Sequence, residues 1–405
     1  MWNDAMDYAQ ARDLLLARVA PPDSERVPLA DCAGRVLAAK VVAAEDVPPF
    51  DRSPYDGYAF RAADTIGIDG AHPVTLEIVE EIPAGHVGRC AVAPGTAVKV
   101  LTGSPLPEGA DAIVPFEETR FTDKTVTLFK PAPPGSNVIR AGEDVRAGDV
   151  LASPGLPIDS GLAATLAGQG IARPEVYRVP RVGVISTGSE LIEPGRPLLP
   201  GRIYNTVRYA LAAALRRDGA EPVFIGCAGD DAEAIAALID DGLRRCDALA
   251  LTGGVSVGDC DLTPDAMAGC GVETLFKGVA LKPGMACCYG MAGKKPVMAL
   301  SGNPASAMTN YYAVARPAVR KLCGLADYLP REIELTLAAP FEKRNRTTRL
   351  LRGVLEIDGG RAMLRLPGDQ GNGVISSMIG CNAMAVVPAG SEPLSAGTIL
   401  KGFLL

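Results

Sequence analysis

The amino-acid sequence predicts a multidomain chain of class α/β plus β, and three observations carry that prediction. From Arg181 to Leu325, short β-branched runs alternate with helical patterns, which is typical of βαβ units and a doubly wound, mostly parallel sheet. The first 180 residues contain short alternating strands broken by Pro and Gly, which indicates β-rich N-terminal domains. The tail from Arg331 to Leu405 has short β segments spaced like a small antiparallel barrel.

The N-terminal part begins with an amphipathic helix at residues 8–17. The segments EIPAGHVG (81–88) and AGEDVRAGDVL (141–151) are rich in turn residues and predict strands joined by turns. The segment PPFDRSPYDGYAFRAAD (48–64) crowds prolines, aromatics and acids and is predicted to be mostly loop.

The α/β part is predicted as an ordered series of strands and helices. Acidic residues open the segment 230–246 and arginines close it, which suits the helix dipole. Pro304 suits the first turn of the last helix. The series is strand 181–187, helix 205–219, strand 221–229, helix 230–246, strand 247–254, a short helix within 262–271, strand 295–304 and helix 305–324. Four β segments follow in the tail, at 332–341, 352–357, 361–367 and 382–390.

Composition and charge exclude several classes of protein. Apolar residues make up 48% of the chain and charged residues 21%, as in an ordinary globular protein. The net charge of −7 argues against a nucleic-acid-binding surface. No apolar stretch approaches the ~18 residues that span a bilayer, and the acidic N-terminus does not resemble a signal peptide. We therefore expect a cytoplasmic protein with neither nucleic acid nor membrane as a partner.

Cysteine and histidine usage narrows the chemistry. The ten cysteines include no C-x-x-C motif and no metal-ligand spacing, so they are predicted to be reduced core residues. Only two histidines occur, which disfavours a Ser-His-Asp relay or a His-ligated metal. Carboxylates, lysines, hydroxyls and hard metal ions remain, and these indicate phosphate or oxyanion chemistry.

Small polar sequences follow each predicted strand of the α/β part: STGSE, GDD, TGGVSVGD and LSGNPAS. In parallel sheets, ligands bind at the carboxyl ends of the strands, where such loops gather. In TGGVSVGDCD, glycines permit close approach of the backbone to an anion, and Asp259 and Asp261 offer oxygens to a cation. A tight strand-to-helix connection is the alternative interpretation. Nearby Lys277 and Lys282 are suited to neutralising phosphates, or are simply solvated.

The acidic residues of these loops predict a metal site. Two carboxylates ~4 Å apart repel by about 1 kcal/mol in water and about 4 kcal/mol at an effective dielectric near 20. If Glu190, Asp230, Asp259 and Asp261 converge, either some of them are protonated or a cation is bound. Oxygen ligands without His or thiolate spacing favour Mg²⁺.

Two N-terminal segments are further candidates. PYDGYA places Asp56 beside Gly57 between two tyrosines, as if to cover a ligand, although a packed surface turn is the alternative. VLTGSPLPEGADAIVPFEE (100–118) carries Thr102 and Ser104 around a glycine, with a β-bulge and turn as the alternative.

Taken together, the motifs PYDGYA, LTGSPLPEGAD, STGSEL, TGGVSVGDCD, LKPG and SGNPAS, in this order, resemble the molybdopterin molybdenumtransferase family, which includes bacterial MoeA and the corresponding domain of gephyrin. The resemblance implies a homodimer. Its protomer would have an N-terminal region 1–177, with a discontinuous linker domain and a small β-rich domain at about 50–140. An α/β molybdopterin-binding domain (178–328) and a C-terminal β-barrel domain (329–405) would follow.

The resemblance also implies a reaction. Molybdenum from molybdate is inserted into adenylylated molybdopterin, with Mg²⁺-dependent release of AMP. The site would lie at the α/β edge of one protomer, covered by the small domain of the other. Possible protein partners are molybdopterin adenylyltransferase and apo-molybdoenzymes.

Site residues carry over from the family position by position. The catalytic set would be Asp56, Thr102, Glu190, Asp230, Asp261 and Lys282, with Glu190, Asp230 and Asp261 as metal ligands. The cofactor-binding set would be Thr187, Gly188, Gly253, Gly254, Ser256, Gly258, Ser301, Gly302, Asn303, Pro304 and Arg352.

The chain departs from the family pattern in two places. It has KPGMA where the family reads KPGKP, and LSGNP, with Ser301, where the family reads LPGNP. In addition, a second family lysine is either shifted to Lys277 or replaced by Gly278. All three differences fall in the predicted anion pocket.

Three other functions remain open from the sequence. The chain would act as a non-catalytic carrier or scaffold of molybdenum cofactor, as a tungstate-using paralogue, or as a molybdopterin adenylyltransferase. The carboxylate set argues against the scaffold, and the long N-terminal part and the barrel argue against the adenylyltransferase.

Overall fold

The computed structural model describes residues 5–256 and 262–405, and the chain divides into two compact units. One unit comprises residues 40–153 and 164–172. The other comprises residues 1–39, 154–163 and 173–405.

The described elements have the following bounds. The α-helices are α1 (Tyr8–Leu16), α2 (Ser160–Gly168), α3 (Thr206–Arg217), α4 (Ala232–Arg245), α5 (Thr263–Gly269), α6 (Pro304–Asn310) and α7 (Arg316–Leu322). The strands up to the α/β sheet are β1 (Ser24–Arg26), β2 (Val41–Val42), β3 (Gly57–Phe60), β4 (Val74–Ile82), β5 (Thr96–Val100), β6 (Ala112–Pro115), β7 (Thr119–Phe121), β8 (Thr125–Leu128), β9 (Val150–Ala152) and β10 (Glu175–Tyr177).

The remaining strands are β11 (Arg181–Thr187), β12 (Leu191–Ile192), β13 (Ile203–Tyr204), β14 (Glu221–Ala228), β15 (Ala248–Thr252), β16 (Glu273–Lys277), β17 (Leu281–Lys282), β18 (Cys287–Ala292), β19 (Lys295–Leu300), β20 (Glu332–Leu337), β21 (Thr348–Asp358), β22 (Arg361–Arg365), β23 (Ala383–Val387) and β24 (Ile399–Leu404). Short 3₁₀ helices lie at Leu29–Asp31, Ala62–Thr65, Phe116–Glu118 and Ile375–Met378, and a π-helical segment, Tyr311–Ala315, joins α6 to α7.

The unit that contains residues 40–153 is built on a six-stranded sheet. Its strand order is β6-β3-β5-β4-β8-β7, and β4 and β5 are its parallel neighbours. The prediction that this region is rich in β-strands is confirmed. The segment 48–64 was predicted to be mostly loop, and this does not hold for residues 57–60, which form β3. Tyr58 and Phe60 are buried there, and this burial outweighs the turn-forming tendency of the flanking prolines.

The α/β sheet has the strand order β14-β11-β15-β19-β18-β16. The first four strands are parallel and carry the predicted segments, whereas β18 runs antiparallel to both β19 and β16. The chain leaves β11 towards β14 on one side and reaches β15 on the other. The gap between the ends of β11 and β15 is therefore the switch point of this sheet.

Two helices of this region, α3 and α4, begin at capping side chains. The Asp231 carboxylate accepts from the backbone N–H groups of Glu233 and Ala234 at 2.9 and 3.2 Å and caps α4. Asn205 caps α3 in the same way. Such caps stabilise a helix by about 1 kcal/mol each. The predicted long helix 305–324 is observed as α6, the π segment and α7 in unbroken succession.

The C-terminal region forms a closed five-stranded barrel, as predicted. Its strands follow one another as β21-β22-β20-β24-β23, and β23 pairs with β21 to close the circle. Pairing is antiparallel except between β20 and β22. The short strand β17 adds to the barrel beside β21, with Lys282 opposite Arg349. This pairing joins the α/β part to the barrel at a residue predicted to bind an anion.

Five of the described cysteines are buried, as expected of reduced core residues: Cys32, Cys246, Cys287, Cys288 and Cys323. Burial raises the pKa of Cys287 to about 12. Cys90 and Cys227 are exposed, so the prediction does not hold for every cysteine. None of the described helices has the length and apolarity that crossing a membrane requires.

Candidate functional site

A cleft of about 750 Å³ opens at the switch point of the α/β sheet. It is bordered by the residues that follow β11, β15 and β19. Ligands of parallel sheets bind at this position because strand ends and loops converge there. The cleft brings together most of the predicted site: Thr187, Gly188, Glu190, Asp230, Gly253, Gly254, Ser256, Lys282, Ser301, Gly302, Asn303 and Pro304.

Two glycines that follow β15 line the cleft. Gly253 and Gly254 have φ values of +96° and +62°, a conformation that L side chains rarely adopt. A Cβ at Gly253 would collide with the backbone oxygen of Thr187. The Thr263 hydroxyl donates to the Gly253 carbonyl at 3.0 Å, which stabilises the turn. The turn is therefore held in one conformation, and its glycines let a ligand come close to the backbone.

Two carboxylates, Glu190 and Asp230, line the cleft. Asp230 is held by a reciprocal contact in which its N–H donates to Ser189 Oγ at 3.1 Å and its Oδ2 accepts from Ser189 N–H at 3.4 Å. The neighbouring Glu193 differs, because it pairs with Arg208 at 2.6 Å. No such ion pair with Glu190 or Asp230 occurs among residues 5–256 and 262–405.

Lys282 supplies positive charge to the cleft. It is exposed on β17 and is followed by Pro283 and Gly284, which also line the cleft. The side chain of Asn310, buried in α6, donates through Nδ2 to the Gly284 carbonyl at 2.7 Å, and its Oδ1 accepts from the Tyr289 hydroxyl. This buried network ties the lysine segment to α6.

The start of α6 faces the same cleft. Asn303 is its N-cap and Pro304 its first residue, and the Asn303 N–H donates to Ser301 Oγ at 3.2 Å. A helix N-terminus stabilises a nearby anion by roughly 0.3–1 kcal/mol at an exposed site. With Lys282 it makes one side of the cleft favourable to phosphate or oxyanion groups.

The barrel adds two cleft residues that the sequence analysis missed, Thr347 and Asn372. The Asn372 carbonyl accepts from the Ser306 N–H at 3.2 Å, which joins the barrel to the first turn of α6. Tyr204 and Asn205 were also missed. Asn205 carried a detectable signal as the predicted start of a helix, whereas the barrel residues reach the cleft only through tertiary folding.

Arg352 lies elsewhere than expected. It is 0% exposed on the outer face of β21, on the side of Leu350 and opposite to the inward-pointing Leu351, and it is absent from the described lining of the cleft. Its Nε and Nη2 donate to Ser377 Oγ at 3.1 and 2.9 Å, and Nη2 donates to the Gly371 carbonyl at 3.2 Å. Burial lowers the pKa of this guanidinium. The structure therefore places Arg352 behind a barrel loop that contributes to the cleft.

Asp56 and Thr102 belong to the other compact unit and contact each other directly. The Asp56 Oδ1 accepts from the Thr102 backbone N–H at 2.7 Å and from the Thr102 hydroxyl at 2.8 Å. These two hydrogen bonds lower the pKa of Asp56. Two residues predicted separately thus form one pair.

Gly258 and Asp261 lie outside the described residues, so their predicted roles stay predictions.

The described part of the chain contains no group of three or more His, Cys, Asp or Glu side chains that could hold a metal ion. Glu190 and Asp230 supply two of the three predicted ligands, and Asp261 is the third. Two carboxylates together with substrate phosphates are a usual environment for Mg²⁺.

Comparison with known proteins gives concordant results. Three family models match: the MoeA N-terminal region (domain I and II) at residues 6–170, a probable molybdopterin binding domain at 183–321, and the MoeA C-terminal region (domain IV) at 334–402. A molybdopterin molybdenumtransferase of Staphylococcus aureus (strain Mu50) is 34% identical over 362 residues, which cover 89% of this chain and 86% of that protein. One from Staphylococcus epidermidis (strain RP62A) is 34% identical over 371 residues, 92% of this chain and 88% of its own length.

Solved structures agree. A molybdopterin biosynthesis moeA protein from Pyrococcus horikoshii OT3 superposes with a TM-score of 0.84 at 31% identity, covering 99% of this chain and 100% of that one. A molybdenum cofactor biosynthesis protein from Pyrococcus furiosus shares the fold, with a TM-score of 0.61 at 21% identity, over 99% of this chain and 100% of that one.

Proposed function

The chain belongs to the molybdopterin molybdenumtransferase family, transferases of molybdenum cofactor biosynthesis, and we propose that it inserts molybdenum from molybdate into adenylylated molybdopterin with release of AMP. The observation that carries this proposal is the cleft at the switch point, which combines glycine turns, Lys282 and two carboxylates that have no ion pair among the described residues. Such a site suits a ligand with a phosphate-bearing end.

The anionic part of the substrate would bind along one side of the cleft. Lys282 would neutralise a phosphate or molybdate oxygen, and the positive end of the α6 dipole would stabilise another. The turn at Gly253 and Gly254 would let the backbone follow the ligand closely. These contacts hold the reacting groups in one orientation, which is the main way in which a site of fixed geometry accelerates a reaction.

We propose Glu190, Asp230 and Asp261 as the residues that hold Mg²⁺. The two described carboxylates fit this ion, since both line the cleft and offer hard oxygen donors without a cationic partner among the described residues. Bound Mg²⁺ would neutralise negative charge that develops on phosphate oxygens. Without a cation, the two carboxylates would repel the anionic substrate.

Asp56 and Thr102 would act as a second carboxylate centre. The Thr102 hydrogen bonds favour the charged form of Asp56, so this carboxylate stays ionised and can orient a hydrogen-bond donor on the substrate. We propose that the pair completes the site in a homodimer, as family resemblance suggests.

A cofactor carrier that performs no chemistry is the second candidate function. It would need the shape of the cleft but not two uncompensated carboxylates, because charges that bind nothing weaken affinity for an anionic ligand. The arrangement of Glu190 and Asp230 therefore favours the enzyme.

The test is an assay of AMP release. Purified protein is incubated with adenylylated molybdopterin and Mg²⁺, in parallel with molybdate, with tungstate and with neither. The proposal predicts AMP release that depends on molybdate. Preferential release with tungstate would identify a tungstate-using enzyme, and tight binding of finished cofactor without any AMP release would identify a carrier.

Further proposals concern the whole protein. We propose a cytoplasmic homodimer with the three domain ranges 1–177, 178–328 and 329–405, and molybdopterin adenylyltransferase and apo-molybdoenzymes as possible partners. Light scattering would measure the dimer, and pull-down with each purified candidate would test the partners.

A further inference from the structure

Arg352 is a full positive charge buried between the outer face of β21 and the segment that contains Gly371 and Ser377. Its side chain is 0% exposed, and its guanidinium hydrogen bonds go to neutral groups, the Ser377 hydroxyl and the Gly371 carbonyl. Its Nη1 has no hydrogen-bond partner among the described residues. An arginine held in this way is costly to bury, because neutral oxygens compensate only part of the lost hydration.

The groups that Arg352 contacts belong to one segment, residues 368–378, which includes the 3₁₀ helix that begins at Ile375. The side chain of Gln370 anchors this segment to the backbone of β21. The Arg352 N–H donates to the Gln370 side-chain oxygen at 3.1 Å, and Gln370 Nε2 donates back to the Arg352 carbonyl at 3.0 Å. Both Gln370 and Ser377 are buried. Arg352 therefore contacts the segment at Gln370, Gly371 and Ser377.

The residue next to Gly371 is Asn372, which lines the cleft. Its carbonyl accepts from the Ser306 N–H in the first turn of α6, and Ser306 lines the cleft as well. Two hydrogen bonds and the Gly371–Asn372 backbone between them thus connect Arg352 to the helix that faces the ligand.

Stability alone does not account for this arrangement. Replacing buried charged groups by well-packed apolar side chains is often neutral or stabilising, so a buried charge is weak evidence of a contribution to folding. What the guanidinium provides is several directed donors in a rigid plane, which can fix more than one point of a loop at the same time.

We infer that Arg352 is a positioning residue, which acts through the loop 368–378 to hold Asn372 against the cleft. It does not contact substrate itself. This inference deepens the proposed function and rests on it for its kinetic readout. It also replaces the direct contact expected from family resemblance with an indirect one.

A substitution at Ser377 distinguishes a positioning role of Arg352 from direct contact between Arg352 and the ligand. Its hydroxyl accepts from the Arg352 guanidinium, and it is buried and not part of the described cleft lining. Ser377→Ala keeps the arginine and its charge but removes the contact between the arginine and the 3₁₀ helix. A positioning role makes this substitution harmful to ligand binding, whereas direct contact by Arg352, whose charge is retained, makes it nearly silent.

The kinetic experiment measures kcat and KM for AMP release from adenylylated molybdopterin in the full-length protein. Arg352→Lys, Ser377→Ala and Asn372→Ala are each expected to raise KM about tenfold, in line with the effect of residues that orient ligand-binding groups, with a smaller change in kcat. The double variant Ser377→Ala/Asn372→Ala should be no worse than Asn372→Ala alone, since both act through one side chain. Arg365→Lys is the matched control, an exposed barrel arginine paired with Glu356 at 2.7 Å, and should keep the wild-type KM.

A second measurement needs no ligand. Hydrogen exchange of the backbone N–H groups of residues 369–377 should be faster in Arg352→Lys and Ser377→Ala than in the wild type, and unchanged in Arg365→Lys. If the wild type releases no AMP, the proposed function fails, while the exchange rates still decide the role of Arg352.

Three results would overturn the inference. One is a wild-type KM in Ser377→Ala together with a raised KM in Arg352→Lys, which would mean direct contact. Another is a lowered melting temperature with unchanged KM in both variants, which would mean a purely structural role. The third is unchanged exchange of the loop. If Arg352→Lys does not fold, Ser377→Ala alone decides the outcome.

Discussion

The two ends of the parallel sheet carry charges in opposite arrangements. At the carboxyl ends of the strands, Glu190 and Asp230 line a cleft and have no ion pair among the described residues. At the other end, carboxylates are paired: Asp247 with Arg178 at 2.7 Å, Glu221 with Arg181 at 3.7 Å, and the buried Asp218 with Arg316 at 2.8 Å.

The difference separates charges that stabilise the fold from charges that are available to a ligand. A paired carboxylate has its electrostatic interactions satisfied within the protein, so its removal is felt in stability. An unpaired carboxylate in a cleft gains its partner only when a cation or substrate arrives. Substitutions at the two ends should therefore affect different properties.

The largest effect is expected at the cleft. Asp230→Asn and Glu190→Gln each remove one negative charge with little change in shape. We expect AMP release to fall by at least about 100-fold, because a metal-holding carboxylate supports several kcal/mol of charge stabilisation. Steady-state rates measure the effect, and circular dichroism verifies the fold. Glu221→Gln, at the opposite end of β14, is the matched control and should keep wild-type turnover. Wild-type turnover in both cleft variants would remove the distinction between the two ends.

The next effect concerns the cleft lysine. Lys282→Gln removes one hydrogen bond to an anionic group, which is worth about 1.5–3 kcal/mol, so we expect KM for adenylylated molybdopterin to rise by about tenfold or more. The rise should shrink at high ionic strength. Lys277→Gln, an exposed lysine of β16 outside the described cleft lining, should leave KM unchanged. Equal effects of the two substitutions would show that the anion pocket includes the shifted lysine.

At the opposite end, the largest loss should be in stability. The Asp218 Oδ1 accepts from Arg316 Nε and its Oδ2 from the Tyr311 hydroxyl, both at 2.8 Å, and the side chain is buried. Asp218→Ala leaves the arginine without its partner, so the free energy of unfolding should fall by about 3–5 kcal/mol. Urea denaturation measures this change. The surface pair of Asp241 provides the control, because Asp241→Ala should have a much smaller effect. A loss of AMP release in protein that is still folded would contradict the assignment.

The smallest effect depends on pH. Burial by itself raises the pKa of Asp247, but the hydrogen bonds from Arg178 and from the Arg181 N–H outweigh it, so the pKa of Asp247 lies below its ordinary value. A lowered pKa adds stability above the ordinary value near 3.8, and this stability is lost as the pH falls through the folded-state pKa. Asp247→Asn should thus lower the free energy of unfolding by about 2 kcal/mol at pH 7, and this difference should shrink only below the ordinary pKa of 3.8, as the pH falls through the folded-state pKa. Denaturant unfolding at several pH values measures the difference, and a constant difference would show that the charge of Asp247 is unimportant.

The same contrast explains what the sequence could predict. Strands β11, β14, β15 and β19 were predictable because β-branched runs and capping residues are local signals. The parallel topology then required their polar ends to meet, which placed Glu190 and Asp230 together. The contact between Asp56 and Thr102 was not predictable, because it depends on the pairing of β3 with β5.

The barrel side of the cleft was the hardest to predict. Thr347 and Asn372 have no distinctive local pattern, and they reach the cleft through the pairing of β17 with β21 and through a loop that Arg352 fixes. Arg352 was predicted to bind the cofactor because it is a cation in a family-like segment. It lies on the outer face of β21 and is buried because the 3₁₀ helix Ile375–Met378 covers it there, which tertiary packing determines.

A single-turnover measurement on Glu190→Gln tests most directly whether the carboxylates at the carboxyl ends of the strands serve catalysis and not stability. The variant is saturated with adenylylated molybdopterin, molybdate and Mg²⁺ are added, and AMP is measured over time beside the wild type. We predict that the variant unfolds at the wild-type denaturant concentration and binds the substrate, but releases AMP at least about 100-fold more slowly. Release at the wild-type rate would contradict the assignment of the strand-end carboxylates to catalysis.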